Sequence, residues 1–387
     1  MRQRHCTITP RLVRSTAHAA LQRALPWKRY GRRVSVPRLL DLLLLVATLR
    51  SSLSAVVRRF RFGCSHETAR QAVAANLPSQ ADLQQGLLQA LHAFGSRRLR
   101  RHLWDVAIDL HYCPFYGDRH TPGVLGGQKK QGSKYHYAYA SAALIHKRHR
   151  YTVGLLALER SYQPHAIVAA LLEQLHQRQL RVRGVALDSG FDSGETILLL
   201  QGRGLSYVVP LRKKGHGPNP RNACWDLPVG TVSRLAWRTK TSRRPVQTEI
   251  AVVRLPEEPA VKVYAFGGWA VSQATATAPR RARQARRAYR RRFGIETSYR
   301  QMNEGKGRTT KKDVCYRLLL VGLALLLRQV WVWLSGQLAR DRGARPTQWL
   351  GELPLRRLLD WLSDAVRQRY KEERRIELQR PLLDLAG

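Results

Sequence analysis

The sequence predicts an α/β protein in which a mixed sheet flanked by helices follows an all-helical N-terminal region. Residues 1–100 carry leucine-rich segments at helical spacing, and the densest is at 38–50. From residue 104 the apolar period falls to two, as in the regular alternation of residues 135–145. Farther along, short apolar segments alternate with helical ones, which is typical of parallel strands joined by helices.

The order of the elements indicates the topology of the sheet. Three strand-like segments come first, at 104–112, 135–145 and 150–158. The glycine-rich stretch between the first two is predicted to be a loop. Two helix–strand pairs follow, at 163–179 with 181–187 and at 193–203 with 205–209. We therefore expect an antiparallel meander followed by parallel strands.

Residues 212–275 interrupt this order. They are rich in proline and glycine and contain three strand-like runs, at 232–238, 246–254 and 261–266. Helical spacing resumes near residue 279 and continues past residue 299 as one predicted helix. The expected regions are helical at 1–100, a sheet-forming core at 101–211 and 276–340, a β-rich insertion at 212–275 and a helical tail at 341–387.

The charge balance indicates a polyanionic partner. The chain has 68 Lys and Arg against 26 Asp and Glu, a formal net charge of +42. Nucleic acid is the expected partner, because basic side chains that neutralise phosphates release counterions. No membrane partner is expected, since the charge is spread along the chain, and the apolar runs 39–49 and 318–334 are predicted to be buried helices.

The cysteine pattern argues against two kinds of covalent or metal stabilisation. Five cysteines lie far apart, with no CxxC pair among them. This pattern argues against a disulfide framework and against a structural zinc site. It favours a protein of the reducing cytoplasm.

A turn-flanked helix in the N-terminal region is a candidate DNA-reading element. Gly63 lies in a short turn, and Ser65 follows where a helix N-cap is expected. A helix, a glycine-containing turn and a capped polar helix is the order of a helix-turn-helix. Arg70 would then face a DNA groove. An ordinary helical hairpin is the alternative.

Three acids are candidates for metal binding. Asp109 lies within an apolar strand, where an unpaired carboxylate is costly to bury. Asp188 directly follows a strand, at the edge where parallel sheets place ligand chemistry. Glu296 is the only acid between Glu258 and Glu304 and follows an arginine-rich run. Carboxylate oxygens are preferred ligands of Mg²⁺ and Mn²⁺, and clustered carboxylates need a cation to offset their repulsion.

Each acid also has a simpler explanation. Asp109 could be salt-bridged to an arginine, and Asp188 could cap the turn that follows it. Glu296 could balance Arg292 and Arg300, four residues away on either side, at the spacing that supports helices. Other acids compete for the roles of the two aspartates: Asp105, Asp118 and Asp192.

The segment around the candidate glutamate has a repeating pattern. Polar and aromatic side chains recur every three or four residues, which predicts one shared face of one helix: Tyr289, Arg292, Glu296, Tyr299 and Asn303. That face offers a carboxylate to a metal, a guanidinium to a phosphate and phenols to a nucleotide. The segment 280–292 contains eight arginines, and its other faces are predicted to follow a duplex backbone.

With these residues in place, the chain resembles the DDE transposases, whose catalytic domain has the ribonuclease-H-like fold. It is similar in particular to the bacterial insertion-sequence group with a Tyr-Arg-Glu-Lys signature. Tyr289, Arg292 and Glu296 match its first three members at the correct spacing. Residues 187–191, Leu-Asp-Ser-Gly-Phe, resemble the motif of the second acid, and the β-rich insertion is also as in that group.

The resemblance implies a transposase in which Asp109, Asp188 and Glu296 hold two Mg²⁺ or Mn²⁺ ions. It implies that phosphodiesters are cleaved and joined in double-stranded DNA, at terminal inverted repeats and in target DNA. It also implies a homodimer in the DNA complex, in the bacterial cytoplasm at the nucleoid. The implied DNA-binding residues, besides Arg70 of the N-terminal helices, are Tyr289, Arg292, Arg300, Lys306 and Trp269.

One position departs from the signature. Its lysine should fall at residue 303, which is Asn303, so that the role of the lysine would pass to Lys306 or Arg300. Two other functions remain open. One is a catalytically impaired or domesticated DNA-binding protein, which the missing lysine favours. The other is a metal-dependent nuclease of the same fold that cleaves DNA without joining it.

Overall fold

The computed structural model describes residues 7–145, 150–214, 219, 221–255, 258–268, 277–341 and 353–372. The chain divides into two compact units. One, the helical unit, comprises Met1–Ala90 and Gln301–Gly387, and the other, the sheet unit, comprises Leu91–Arg300.

The elements are numbered in chain order. The first part of the chain holds α1 Pro10–Ala24, α2 Val36–Thr48, α3 Leu53–Arg59, α4 His66–Ala75, α5 Gln80–Ala93 and α6 Ser96–Arg101. The middle part holds β1 Leu103–Phe115, β2 Val124–Lys130, β3 Ser133–Ile145, β4 Thr152–Ala157, α7 Pro164–Gln177, β5 Arg181–Leu187, α8 Gly194–Gly202 and β6 Ser206–Pro210. The last part holds β7 Val232–Arg238, β8 Pro245–Leu255, β9 Glu258–Gly267, α9 Ala278–Arg290, α10 Phe293–Glu304, α11 Val314–Asp341 and α12 Leu355–Arg367.

Helix α11 is the apolar centre of the helical unit. Its segment Val314–Leu338 is long and apolar enough to cross a membrane, yet 94% of its most apolar window is buried inside the protein. The helix packs against α1, α2 and α12. Both long apolar runs of the sequence are buried helices, as predicted, because other helices pack against them.

A buried acid connects three segments of the helical unit. Asp41 on α2 accepts hydrogen bonds from Arg14 at 2.7 and 2.8 Å and from His18 at 2.7 Å, both on α1. Tyr370, after α12, donates to the same carboxylate at 3.0 Å. Burial alone would raise the pKa of Asp41, but the hydrogen bonds from His18 and Arg14 hold it below its ordinary value.

The predicted helix–turn–helix order is present at α3 and α4. Gly63 in the turn has a φ of +68°, which a side chain would disfavour. Ser65 caps α4, because its hydroxyl accepts a hydrogen bond from the Thr68 amide at 3.1 Å. Arg70 is exposed on α4, 3.0 Å from Glu67. The reading of DNA bases by this helix stays a prediction.

The sheet unit is built on one nine-stranded mixed sheet with the order β2-β3-β1-β5-β6-β9-β8-β7, and β4 pairs with β3. Strands β1, β5 and β6 are parallel, whereas β3 is antiparallel to β1 and to β4. The antiparallel meander followed by parallel strands is therefore confirmed. The predicted loop between the first two strands was wrong in part, because β2 lies in it. This edge strand of glycines and lysines pairs through its backbone and has no apolar alternation to reveal it.

The three strands of the β-rich insertion extend the same sheet. Strand β9 pairs antiparallel with β6, and β8 and β7 continue the ladder outward. Helices α7 and α8 cover one face of the sheet through a large apolar core. Helix α9 lies against the other face through Ala282 and Ala285, and α10 lies there through Ile295.

The single helix predicted from residue 279 past 299 was wrong in its continuity. Helix α9 ends at Arg290, and α10 begins at Phe293, so that Arg291 and Arg292 form a turn between two helices. The periodicity did not reveal the break, because both helices pack on the same face of the sheet and keep their apolar residues in phase.

Candidate active site

Two of the predicted acids come directly after the last paired residues of two adjacent parallel strands. Strand β1 pairs with β5 up to Ile108 and Leu187, and the next residues are Asp109 and Asp188. Register alone therefore brings these two aspartates to the same edge of the sheet, at the carboxyl end of β5, where α/β sheets bind ligands.

Asp109 is directed to the face that α10 covers. It alternates with Ala107, which packs against Ile295 of α10. The aspartate is buried, with 7% of its surface exposed. Burial raises its pKa to about 6; Arg292 opposes the rise, whereas Asp188 and Glu296 add to it. Asp188 and Glu296 are thus each close enough to Asp109 to affect it electrostatically.

Arg292 joins the first and the third acid. Its guanidinium donates to Asp109 Oδ2 at 2.9 Å and to Glu296 Oε1 at 2.5 Å. It also donates to the Tyr289 hydroxyl at 3.1 Å and lies over that ring, 5.1 Å from its centroid. The turn between α9 and α10 places this arginine side chain, which is only 4% exposed, between the two carboxylates.

The simpler roles suggested for these acids, as partners in salt bridges, are also present in part. Asp109 is salt-bridged to Arg292, as is Glu296 four residues on. In this structure the Arg292 guanidinium binds protein carboxylates. Its expected binding to a DNA phosphate therefore stays a prediction.

Tyr299 fixes α10 to the strands below. Its hydroxyl lies 2.8 Å from the main-chain oxygen of Asp109 and 2.8 Å from the Ser141 hydroxyl on β3. Ser141 is the register partner of Asp109. The sequence suggested that the tyrosines near Glu296 contact nucleotides, but this phenol bonds the strands of the sheet.

Asp188 begins the short turn after β5. Its Oδ1 accepts from the Ser189 amide at 2.6 Å, so that it does cap that turn while remaining half-buried at the sheet edge. Tyr112 on β1 lies near this aspartate: burial raises the pKa of its phenol, and the charges of Asp188 and Asp109 raise it further. Lys130 lies 4.2 Å from the centroid of the Tyr112 ring.

The competing acids have other partners. Asp105 binds Arg183 through two hydrogen bonds, at 3.0 and 2.5 Å. Asp118 is exposed and accepts from the His120 amide at 2.9 Å within a turn. Asp192 is buried against the basic side chains of Arg221 and Lys214. None of these contacts lies in the group formed by Asp109, Asp188 and Glu296.

Comparison with known proteins identifies the family. The family model described as "Transposase DDE domain" matches residues 117–312, about half of the chain. The chain belongs to the transposase DDE domain family. The matched range includes Asp188 and Glu296, and Asp109 lies eight residues before it. No curated protein matches the sequence.

A solved structure shares the fold of this DDE-family chain. It is a cryo-EM structure of the piggyBac transposase synaptic complex with hairpin DNA, with a TM-score of 0.54 and 13% sequence identity. The match covers 95% of this chain and 83% of that one. The predicted ribonuclease-H-like mixed sheet flanked by helices is confirmed by this likeness and by the nine-stranded sheet.

Members of the DDE family generally use divalent metal ions, and the donor set of this chain suits them. The charges of Asp188 and Glu296 both act on Asp109, and carboxylate oxygens are what Mg²⁺ and Mn²⁺ prefer. Within the described ranges, no three Asp, Glu, His or Cys side chains stand close enough to hold an ion as they are placed. Arg292 is inserted between two of the three, so that an ion and this guanidinium would compete for the same oxygens.

The remaining predicted DNA-binding residues lie in different surroundings. Arg300 is exposed near the end of α10, and Lys306 is half-buried in the helical unit. Trp269 falls outside the described residues. Ser141, Tyr112 and Arg212 were not predicted from the sequence, although Arg212 comes three residues after the predicted strand 205–209.

Proposed function

We propose that the protein is the DNA transposase of an insertion sequence. It would hydrolyse phosphodiesters at the ends of the element and then join the freed 3′ hydroxyls to target DNA. One observation carries this proposal: Asp109 and Asp188 follow paired residues of adjacent parallel strands, and Arg292 links Asp109 to Glu296 of α10.

In this proposal Asp109, Asp188 and Glu296 hold two Mg²⁺ or Mn²⁺ ions. Such ions, when bound, activate an attacking oxygen and stabilise the leaving one. The protein's own contribution is positional. The sheet register holds the two aspartates side by side, and Tyr299 holds the helix of Glu296 against β1.

Double-stranded DNA is the proposed substrate, both as terminal inverted repeats and as target. The sequence has a net charge of +42, which suits a polyanion. Helix α9 packs on the sheet through its alanines, and an exposed basic stripe lies at helical spacing opposite them: Arg280, Arg283, Arg287 and Arg290. Arg70 on α4 is the proposed contact to the inverted repeat. We further propose a homodimer that pairs two DNA ends, at the nucleoid of the bacterial cytoplasm.

Incubation with linear DNA that carries the inverted repeats of the element, with Mg²⁺ or Mn²⁺, tests the function on a gel. Nicking followed by joining to a second duplex is the expected result. Asp188→Ala should abolish cleavage and leave DNA affinity within about threefold, because only a carboxylate is removed. Binding without nicking would instead indicate a DNA-binding protein, which uncharged Asn303 favours, and nicking without joining would indicate a nuclease.

A further inference from the structure

Arg212 occupies the sheet edge next to the acids. Strand β6 is the parallel neighbour of β5, which is the parallel neighbour of β1. Asp109 and Asp188 lie where the β1–β5 ladder ends, and Arg212 lies two residues beyond the end of β6. Three adjacent parallel strands therefore bring two carboxylates and then a guanidinium to one edge.

A buried acid fixes the position of this arginine. The backbone amide of Arg212 donates to Asp192 Oδ2 at 2.8 Å. Asp192 is buried, and Arg221 and Lys214 neutralise it. The segment after β6 is thus held without any use of the Arg212 guanidinium, which remains available for another contact.

The guanidinium lies over the turn that Asp188 begins. Its Nη2 donates to the Ser189 hydroxyl at 2.9 Å. The charge of Arg212 also reaches the neighbourhood of Tyr112, where it partly offsets the effect of Asp188 and Asp109 on the pKa of the phenol. The Arg212 guanidinium therefore lies next to the turn of Asp188, at the same edge of the sheet as the acids.

The charge of Arg212 is not neutralised within the described part of the chain. The side chain is exposed, and among the described residues no carboxylate lies within ion-pairing distance of it. Arg292 differs, since it is buried and bound to two carboxylates. An exposed arginine that keeps free N–H groups beside a phosphodiester-cleaving site suits a phosphate oxygen, which guanidinium binds strongly.

We propose that Arg212 binds a DNA backbone phosphate next to the scissile phosphodiester and holds the strand against Asp109 and Asp188. This inference rests on the proposed function. Arg212 would supply a positive charge at the edge of the site, whereas Asn303, at the position of the signature lysine, carries no charge.

The test compares nicking rates and DNA affinities of the full-length protein and its variants. Arg212→Gln should slow nicking by about 10- to 100-fold, as expected for one charge-assisted hydrogen bond, while duplex affinity changes less than about threefold. Arg212→Lys should recover part of the rate, because it retains the charge. Arg181→Gln is the matched control: Arg181 is also exposed but lies at the opposite end of β5, so that the rate should not change.

A methylphosphonate substitution locates the contact. It removes the charge of one phosphate beside the scissile bond and should slow the wild-type protein to a similar degree. It should slow Arg212→Gln little further, since the contact is already lost. Additive losses at each flanking phosphate would overturn the proposal.

A structural role for Arg212 predicts a different pattern. If the arginine only holds the turn, then Ser189→Ala should reproduce the whole loss, and this result would also overturn the proposal. We expect a loss of threefold or less. A wild-type protein that nicks DNA, with an Arg212→Gln rate equal to that of Arg181→Gln, refutes this inference and leaves the proposed function standing. A wild-type protein that does not nick refutes both.

Discussion

The hydroxyl of Tyr299 donates a hydrogen bond of 2.8 Å to the main-chain oxygen of Asp109, across 190 residues of sequence. Burial raises the pKa of this phenol well above its ordinary value, so that it keeps its proton and remains a donor. The Ser141 hydroxyl then donates to Tyr299 in turn. The helix that carries Glu296 is thereby fixed to the strand that carries Asp109.

Tyr299→Phe should therefore impair cleavage more than folding. The ring can keep its packing, but a buried carbonyl loses its donor, which costs about 1–3 kcal/mol of unfolding free energy. We expect a cleavage rate at least about tenfold lower, because a small displacement of Glu296 is costly to catalysis. Rates measured at saturating DNA and metal, with urea unfolding in parallel, check this expectation.

Tyr207→Phe provides the matched control. Tyr207 is a buried phenol in the same unit, bonded to Thr248 at 2.8 Å and to Gln201 at 2.9 Å. It packs on the face of the sheet that α7 and α8 cover, opposite the face of Asp109. It should lose similar stability and keep its cleavage rate. Equal rate losses in both variants would mean that Tyr299 acts only through stability.

Arg292→Gln should tighten the binding of divalent metal to the DNA-free protein. The guanidinium occupies oxygens of Asp109 and Glu296, and its positive charge repels a cation from the same place. Removal of both effects should strengthen Mn²⁺ binding by about tenfold, or 1.4 kcal/mol, at pH 8. Calorimetric titration measures the change. Arg291→Gln, one residue away and exposed, should leave the Mn²⁺ affinity unaltered, and weaker binding in Arg292→Gln would contradict the idea of competition.

Asp41→Asn should destabilise the helical unit. The substitution leaves Arg14 and His18 without their buried counterion, and breaking a buried ion pair costs about 3–5 kcal/mol. Asp360→Asn removes an exposed acid paired with Arg356 on α12 and should cost less than about 1 kcal/mol. Thermal and urea unfolding compare the two variants, and a similar loss in both would contradict the assigned importance of burial.

His92 should make folding sensitive to mild acid. Burial lowers its pKa to about 4, and its Nε2 lies 2.6 Å from the Val153 carbonyl oxygen, to which the neutral ring donates. Between pH 6.5 and 4 the unfolded chain takes up a proton that the folded protein resists, so that stability falls as the pH falls. The loss from this residue reaches up to about 3 kcal/mol.

Urea unfolding at a series of pH values measures this effect. His92→Gln retains an amide that can donate to Val153 and does not titrate, so that the fall in stability across the same window should be smaller. Identical slopes for the variant and the wild-type protein would show that other groups cause the acid sensitivity.

The features that could be predicted from the sequence are those that depend on local residue pattern and on the order of the strands. The strand at 181–187 has the predicted bounds, and its parallel pairing with β1 is enough to bring Asp109 and Asp188 together. Periodicity also predicted that Glu296 lies on a helix. These features depend on alternation and on chain order, both of which can be read without knowing any tertiary contact.

The contacts within the site depend on the direction of individual side chains and could not be predicted in this way. Arg292 turns inward because the helix breaks beside it, and no residue pattern marks that break. The contact of Tyr299 with Ser141 spans 158 residues, and helical spacing identifies a face but not a partner. Strand β2 has glycines and lysines in place of alternation, since an exposed edge needs only backbone pairing.

The pairing of β9 with β6 has a consequence for how this protein can change. Residues 206–210 would be left with a bare row of amides and carbonyls if the segment of β7, β8 and β9 were excised, a template for association with other chains. The segment therefore cannot be deleted without exposing the edge of β6. Its loops can lengthen or shorten, while the strand beside β6 must persist or be replaced by another.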